Sequence, residues 1–365
     1  MTWTDILERA EAEADSRNDV RYGHVPCKHT LNPTRGEHLP FAHSINPYLN
    51  CEFACTFCFA REFSRRREHG LQTSEDDRFS RRIQAKRDAA EVLRQDLSRL
   101  AEQGRLHEPI ALGTATDPYQ PFERRHQLTR ALLAVLLESA RAHPGHLRLI
   151  VATRSDLILR DLDLLRPLSE VAQLRVTLGL PSVDRDLLRT LERRAPTPAL
   201  RLKAVERLRR AHLDVGVACA PILPGLTEGP RELRRVFCAA QGAGARYLEA
   251  QVLTLRGASR DAFLAWAEAH APSYAAMFRG LYRGPLPPWP VRDRIARVVH
   301  VLRRQYGLPA GLPWSAQPNA LQGLAADASS DLGPATPAGR RLPIAAPWSN
   351  AGPLFRGLGD GRSVG

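Results

Sequence analysis

The feature that most limits the fold of this 365-residue chain is an alternation of apolar extended segments with helical patterns, repeated about six times. The extended segments are near-continuous apolar runs, as is typical of parallel strands covered on both faces, at 41–46, 109–117, 147–156, 174–180, 215–223 and 247–255. Helical patterns occupy 81–103, 127–142, 157–172, 184–211 and 230–242, with Asp184 and Thr227 as predicted caps. This order predicts either a doubly wound sheet or an incomplete βα barrel, and both place chemistry at the carboxyl ends of the strands.

The flanking segments differ from this pattern. Residues 1–39 form a predicted N-terminal extension, 40–255 the alternating domain and 256–307 a C-terminal helical extension. From 308 to 365 the chain is rich in Pro, Gly and Ala without a period, which predicts a disordered tail.

The longest apolar runs, such as LRLIV at 147–151, are far shorter than the ~20 residues that a membrane span needs. The first twenty residues carry acidic side chains where a secretion signal would have a basic start and an apolar centre. We therefore expect a cytoplasmic protein without a membrane span.

The formal net charge of +13 invites a nucleic-acid interpretation. Only three of the 52 basic residues are lysines, namely Lys28, Lys86 and Lys203, so the arginine excess also fits the codon bias of a GC-rich genome. A nucleic acid is thus a candidate partner that the composition does not favour.

Three of the six cysteines, Cys51, Cys55 and Cys58, lie within eight residues in CxxxCxxC spacing just after the first predicted strand. Cysteines in a chain without a secretion signal favour metal or catalytic use over disulfides. One candidate is zinc, for which Cys27 or His29 would supply a fourth ligand. The other is a [4Fe-4S] cluster with one iron left open for a cosubstrate, because soft thiolates select iron–sulfur clusters.

This cysteine motif resembles that of the radical S-adenosylmethionine (AdoMet) superfamily, and Phe57 matches the aromatic residue before its third cysteine. The resemblance implies an α/β fold, a partial (β/α)6 TIM-like barrel. It also implies a [4Fe-4S] cluster bound by Cys51, Cys55 and Cys58, with AdoMet at the open iron. An external electron donor of the flavodoxin or ferredoxin type would drive cleavage of AdoMet to a 5′-deoxyadenosyl radical, which abstracts hydrogen from a substrate.

Longer segments resemble spore photoproduct lyase and its uncharacterised bacterial relatives, namely 45–61, 113–123, 151–165, 175–180 and 220–228. This resemblance implies AdoMet contacts from Phe57 in the cysteine motif and from residues at the strand ends, which are Thr114, Thr116, Asp117, Arg154, Ser155 and Thr177. Each polar member also has an ordinary structural interpretation, as a turn residue, a solvated arginine or a buried threonine. Tyr119 and Glu123 are candidates for contact with the substrate.

The chain departs from the lyase at one position. The lyase depends on a cysteine hydrogen donor in the segment that matches GTATD, and here that position is Thr114. A hydroxyl does not donate a hydrogen atom to a carbon radical as a thiol does, so we expect no lyase activity. The alternative function class is a non-catalytic metal protein, such as a zinc-stabilised or redox-sensing nucleic-acid-binding module.

Overall fold

The computed structural model describes residues 16–17, 20–34, 39–67 and 78–311. Its strands within those ranges are β1 (Ser16–Arg17), β2 (Val20–Pro26), β3 (Leu31–Pro33), β4 (His43–Ile45), β5 (Tyr48–Leu49), β6 (Arg82–Arg87), β7 (Ile110–Leu112), β8 (Arg148–Thr153), β9 (Gln173–Gly179), β10 (Asp214–Ile222) and β11 (Leu248–Val252).

The helices in the same ranges are α1 (Ala60–Arg67), α2 (Arg78–Arg81), α3 (Ala89–Glu102), α4 (Glu123–His126), α5 (Leu128–Ala142), α6 (Leu162–Val171), α7 (Arg185–Leu191), α8 (Pro198–Arg210), α9 (Pro230–Gly242), α10 (Ala258–His270), α11 (Pro272–Leu281) and α12 (Trp289–Tyr306). A 3₁₀ helix, Asp156–Asp161, precedes α6.

The main sheet has seven strands in the order β11-β10-β9-β8-β7-β4-β3. Strands β4 and β7 to β11 are parallel neighbours in chain order, and they correspond to the six predicted strands. Strand β3 adds to the edge of β4 in the antiparallel direction. The fold is therefore the expected α/β partial barrel.

The main hydrophobic core lies between this sheet and its helices. In β9, Leu174, Val176 and Leu178 pack into that core, so the intervening Arg175, Thr177 and Gly179 face the opposite side of the sheet. A second core joins the cysteine-containing segment to α10 and α11, through Phe53, Phe57, Phe263, Trp266 and Phe278.

Two predicted helical segments are wrong in part. Residues 82–87 form strand β6 rather than the start of a helix, because they pair in parallel with β2 and antiparallel with β5. Lys86 consequently lies on a strand. The pattern at 184–211 divides into α7 and α8, since Glu192 leaves the helix to form a β-bridge with Cys55 and Pro196 follows.

The predicted caps have different outcomes. The carboxylate of Asp184 accepts from the backbone N–H groups of Asp186 and Leu187, which confirms it as the N-cap of α7. Thr227 is not a helix cap, because α9 begins at Pro230 and the Thr227 hydroxyl accepts from Leu223 N (2.8 Å).

The C-terminal helices pack onto both cores, with Ile295, Val299 and Leu302 of α12 in the main one. The start of the predicted tail is packed as well: Leu308 is buried, and Pro309 O accepts from Leu248 N (3.0 Å). Residues 312–365, the rest of the predicted tail, lie outside the described residues. In the described part, no helix is both long enough and apolar enough to cross a membrane.

Candidate functional site

The cysteine loop, residues 50–59, connects β5 to α1 at the carboxyl end of the sheet. Backbone hydrogen bonds anchor it on two sides, from Cys51 N to Phe79 O (3.0 Å) and from Thr56 N to Leu191 O (3.0 Å). Asn50 and Ala54 have φ values of 66° and 56°, which turn the chain sharply around Cys51. The loop is therefore irregular, as expected from the cysteine spacing, and is held by segments distant in sequence.

Two of the three cysteines in this loop, Cys51 and Cys55, are buried, and Cys58 is partly buried. Burial, followed by the charge of Asp117, raises the pKa of Cys51 to about 12. Burial also raises the pKa values of Cys55 and Cys58, while the positive charge of Arg154 opposes both shifts. Without a metal the thiols stay protonated near neutral pH, and metal binding must displace those protons.

Three thiolates in one loop are a donor set that fits a [4Fe-4S] cluster, in which each cysteine binds a different iron. A zinc ion instead needs its ligands about 2.3 Å from one point. Among the residues that the structure describes, no group of three or more His, Cys, Asp or Glu side chains is arranged to hold a single metal ion. Cys27 contacts Thr30, with 3.3 Å between Sγ and Oγ1.

Two amide side chains hold the loops of the site. Gln120, which is fully buried, accepts from Glu52 N (2.8 Å) and so anchors the cysteine loop to the segment after β7. Asn46 accepts from the backbone of Ala115 (2.8 Å) and Thr116 (3.2 Å) and donates to Thr114 Oγ1 (3.2 Å). The ends of β4 and β7 are therefore joined through the GTATD segment.

Asp117 joins the ends of β7 and β8. One carboxylate oxygen accepts from Tyr119 N (2.9 Å) and Thr153 Oγ1 (2.6 Å), and the other from Arg154 N (2.7 Å). Ser155 caps the 3₁₀ helix, accepting from Leu157 N (3.2 Å). The structure thus brings Asp117, Arg154 and Ser155 together, and their contacts with AdoMet remain predictions.

Arg154 crosses from the end of β8 to the cysteine loop. Its guanidinium lies over the Phe57 ring, 5.7 Å from the centroid, and its Nε donates to Glu192 Oε1 (2.8 Å). The side chain passes so close to Gly179 that a Cβ there would lie 2.9 Å from Arg154 Cγ. Arg154 is therefore beside the cysteine loop, where its positive charge opposes the burial-driven rise in the pKa of Cys55.

The remaining candidates have internal partners. Glu123 is fully buried, and its carboxylate accepts from the Tyr48 hydroxyl, Thr129 N (2.9 Å) and Arg160 Nη2 (2.6 Å). Thr177 is buried within β9, two residues before the strand end, and its hydroxyl lies 2.9 Å from the Tyr247 hydroxyl.

Tyr119 is also buried in the main core. The geometry favours structural roles for Tyr119 and Glu123, and their contact with a substrate stays a prediction. Two further cysteines lie apart from the loop: Cys219 is fully buried in β10, whereas Cys238 is exposed on α9.

Sequence patterns did not single out Asn46, or Glu192 and Arg201. Asn46 directly follows the first strand, a position that could have marked it. Glu192 and Arg201 carried no such signal, because their importance depends on pairing with Arg154, 38 residues before Glu192.

The fold and the site together define a class: an α/β partial barrel with a three-cysteine loop at the carboxyl end of its parallel strands. The family model described as the Radical SAM superfamily matches residues 45–236. This chain belongs to that superfamily of enzymes.

Relatives and similar structures agree with this assignment. The chain is 32% identical over 291 residues to an uncharacterized protein of Mycobacterium tuberculosis, covering 79% of this chain and 82% of that protein. It is 26% identical over 204 residues to an uncharacterized protein of Methanocaldococcus jannaschii, covering 56% and 68%.

Among solved structures, the fold is similar to that of a spore photoproduct lyase variant with bound AdoMet and dinucleoside spore photoproduct. The TM-score is 0.55, with 14% identity and 77% of each chain covered. A second lyase variant, with dinucleoside spore photoproduct, has a TM-score of 0.57, with 13% identity and 77% and 78% coverage.

Proposed function

We propose that this protein binds a [4Fe-4S] cluster through Cys51, Cys55 and Cys58 and binds AdoMet beside it. The observation that carries the proposal is the placement of three cysteines in one loop, two of them buried and one partly buried, next to Arg154 and Asp117 at the carboxyl end of the parallel strands. When bound, the cluster and AdoMet would supply reductive cleavage to a 5′-deoxyadenosyl radical and hydrogen abstraction from a substrate.

The residues of this chain would orient the bound groups. The Arg154 guanidinium suits a bidentate contact with the AdoMet carboxylate, because its planar fork matches carboxylate geometry. Asp117 keeps the Arg154 backbone in place through a 2.7 Å hydrogen bond. Phe57 lies beneath the Arg154 guanidinium and packs in the same hydrophobic core as Cys51 and Cys55.

The site also needs an electron from outside. Reductive cleavage of AdoMet consumes one electron, so we propose an external donor of the flavodoxin or ferredoxin type.

The test is iron loading under anaerobic conditions. We expect the wild-type protein to be brown, with a broad absorbance near roughly 400 nm from thiolate-to-iron charge transfer. Cys51→Ala, Cys55→Ala and Cys58→Ala should each abolish this absorbance and the bound iron. Cys219→Ala, which removes a fully buried thiol outside the loop, and Cys238→Ala, which removes an exposed one, should retain both.

AdoMet binding is measured on the same samples. We expect calorimetry to detect AdoMet binding, and reduced protein to release methionine and 5′-deoxyadenosine slowly without substrate. Normal cluster assembly in any of the three loop variants would contradict the cluster. A colourless protein with one zinc would support the non-catalytic alternative, and a loaded protein that binds no AdoMet would contradict the enzyme.

A further inference from the structure

We infer that Glu192 is a positioning residue, which holds Arg154 in the orientation needed to receive an anionic ligand beside the cysteine loop. The inference rests on the proposed function, because the ligand it concerns is the carboxylate of AdoMet. It assigns the role to a buried ion-pair chain, Arg154–Glu192–Arg201, that no motif in the sequence marks.

The Glu192 carboxylate is completely buried and lies between two guanidinium groups. Its Oε1 accepts from Arg154 Nε at 2.8 Å, and its Oε2 accepts from Arg201 Nη2 at 2.5 Å. Glu192 therefore forms an ion pair with each of the two arginines at once.

Arg201 fixes this carboxylate to the scaffold. Its side chain is 1% exposed, and it donates to Gly179 O (2.8 Å) through Nη1 and to Pro196 O (2.8 Å) through Nε. All of its donor nitrogens are thus used by the end of β9, the turn before α8 and Glu192. Arg201 anchors the chain of ion pairs but does not reach the site.

Arg154 is different, because only one edge of its guanidinium is used. In the part of the chain that the structure describes, neither Nη1 nor Nη2 of Arg154 has a hydrogen-bond partner. The side chain is 28% exposed, so these donors are accessible. Glu192 occupies the Nε edge, and the opposite edge remains for a second carboxylate.

The same residue is joined to the cysteine loop through the backbone. Glu192 forms a β-bridge with Cys55, and Leu191 O accepts from Thr56 N (3.0 Å). Arg61 Nε also donates to Cys55 O (2.9 Å) from the other side. The position of Arg154 is consequently fixed relative to the cysteines. A ligand that contacts both the arginine and the cluster requires such a fixed distance.

The physical role of Glu192 is preorganisation. A long arginine side chain loses rotamer entropy when it is immobilised. If the side chain is already ordered before the ligand binds, this loss does not reduce the binding free energy. Without Glu192, Arg154 would have to be ordered by the incoming carboxylate. Affinity should fall for ligands that carry the carboxylate and not for those that lack it.

The experiment compares AdoMet with decarboxylated AdoMet, by calorimetry on the cluster-loaded, unreduced protein. The quantity is the ratio of the two dissociation constants. Glu192→Gln removes the charge that holds Arg154 and leaves Arg201 unpaired in the interior, which is strongly destabilising. The double variant Glu192→Gln/Arg201→Gln removes both buried charges and leaves Arg154 Nε at most a neutral amide oxygen in place of the carboxylate, which weakens its hold on the arginine.

We expect the preference for AdoMet over its decarboxylated form to fall about tenfold in both variants, since charge-assisted bonds to carboxylates are among the strong ones. The matched control is Glu206→Gln on α8, which removes an exposed carboxylate paired with Arg210 and should leave the ratio unchanged. An unchanged ratio in the loaded double variant would overturn the positioning role alone. A wild-type protein that loads its cluster but binds neither ligand would contradict the proposed function itself.

Discussion

At the residue scale, Asp117 illustrates how one carboxylate can organise a site. Three donors converge on it. Tyr119 N comes from the turn just after Asp117, and Thr153 Oγ1 and Arg154 N come from the end of β8. Burial raises the pKa of Asp117, and these hydrogen bonds oppose the shift. The family resemblance implies that this side chain contacts AdoMet, and its geometry gives it a second role in fixing the Arg154 backbone.

Replacing Asp117 by Asn tests these roles. The amide has one acceptor oxygen in place of two, so at least one buried donor loses its partner, at a cost of about 1–3 kcal/mol in the free energy of unfolding. We expect a lower midpoint in urea together with weaker AdoMet binding. Asp163→Asn, at a 56% exposed side chain paired with Arg130, should change neither quantity much. Full stability with lost AdoMet binding would assign Asp117 to the ligand alone.

At the element scale, the turn that follows β7 depends on Gly113, the first residue of the GTATD segment. Its φ of +92° is in the region that favours glycine, and an added Cβ would lie 2.3 Å from Ala152 O. A side chain at position 113 would therefore force apart the carboxyl ends of β7 and β8, which Asp117 joins.

We expect Gly113→Ala to lower the free energy of unfolding by more than about 2 kcal/mol, because backbone strain and a steric clash act together. The matched control is Gly104→Ala, at a φ of +67° with nothing within 4 Å of the added Cβ, which should show the smaller cost of backbone strain alone. Urea unfolding of both variants measures the difference. Equal destabilisation would mean that β7 and β8 can relax around the methyl group.

Strand β11 carries a titratable side chain with a shifted pKa, the carboxylate of Glu249. Burial raises the pKa of Glu249 from 4.5 to about 7, while Arg175 and Arg303 oppose the shift; the Tyr247 hydroxyl is a further neighbour. Between these two pKa values the folded state binds more protons than the unfolded state. Its contribution to stability is therefore lost as the pH rises from about 4.5 to about 7.

Glu249→Gln should remove this pH dependence. When the pH is raised from 4.5 to 8, the free energy of unfolding of the variant should rise relative to that of the wild type by at most about 3 kcal/mol. This limit follows from about 1.36 kcal/mol for each unit of pKa shift. Urea unfolding of both proteins at several pH values gives the difference, with Glu206→Gln as an exposed control. A variant that follows the wild-type profile would mean that the arginines keep Glu249 ionised.

At the scale of the whole molecule, the chain carries a formal net charge of +13. In the described ranges, arginines pair with carboxylates on many separate elements: Arg94 on α3, Arg130 on α5, Arg210 on α8, Arg279 on α11, and Arg294 and Arg297 on α12. Pairing of this kind lowers the local potential available to phosphates.

We therefore expect weak, nonspecific binding to duplex or single-stranded DNA, in the range of about 10⁻⁴–10⁻⁶ M at physiological salt, with affinity falling as salt rises. We also expect no repair of a thymine photoproduct, because the residue at the lyase's donor position is Thr114. Incubation of the reduced, AdoMet-loaded protein with a photoproduct-containing oligonucleotide, followed by quantification of thymine, tests this. Multiple-turnover restoration would show that another group donates the hydrogen.

Local patterns were sufficient for the six parallel strands and for locating the cysteine loop, because hydrophobic period and cysteine spacing are properties of neighbouring residues. They failed at residues 82–87, whose strand conformation depends on pairing with β2 some 60 residues earlier. They also could not reveal Gln120 as an anchor of the cysteine loop or Glu192 as the partner of Arg154 and Arg201. Such contacts join segments that are distant along the chain, and their energies exist only once the packed sheet has brought those segments together.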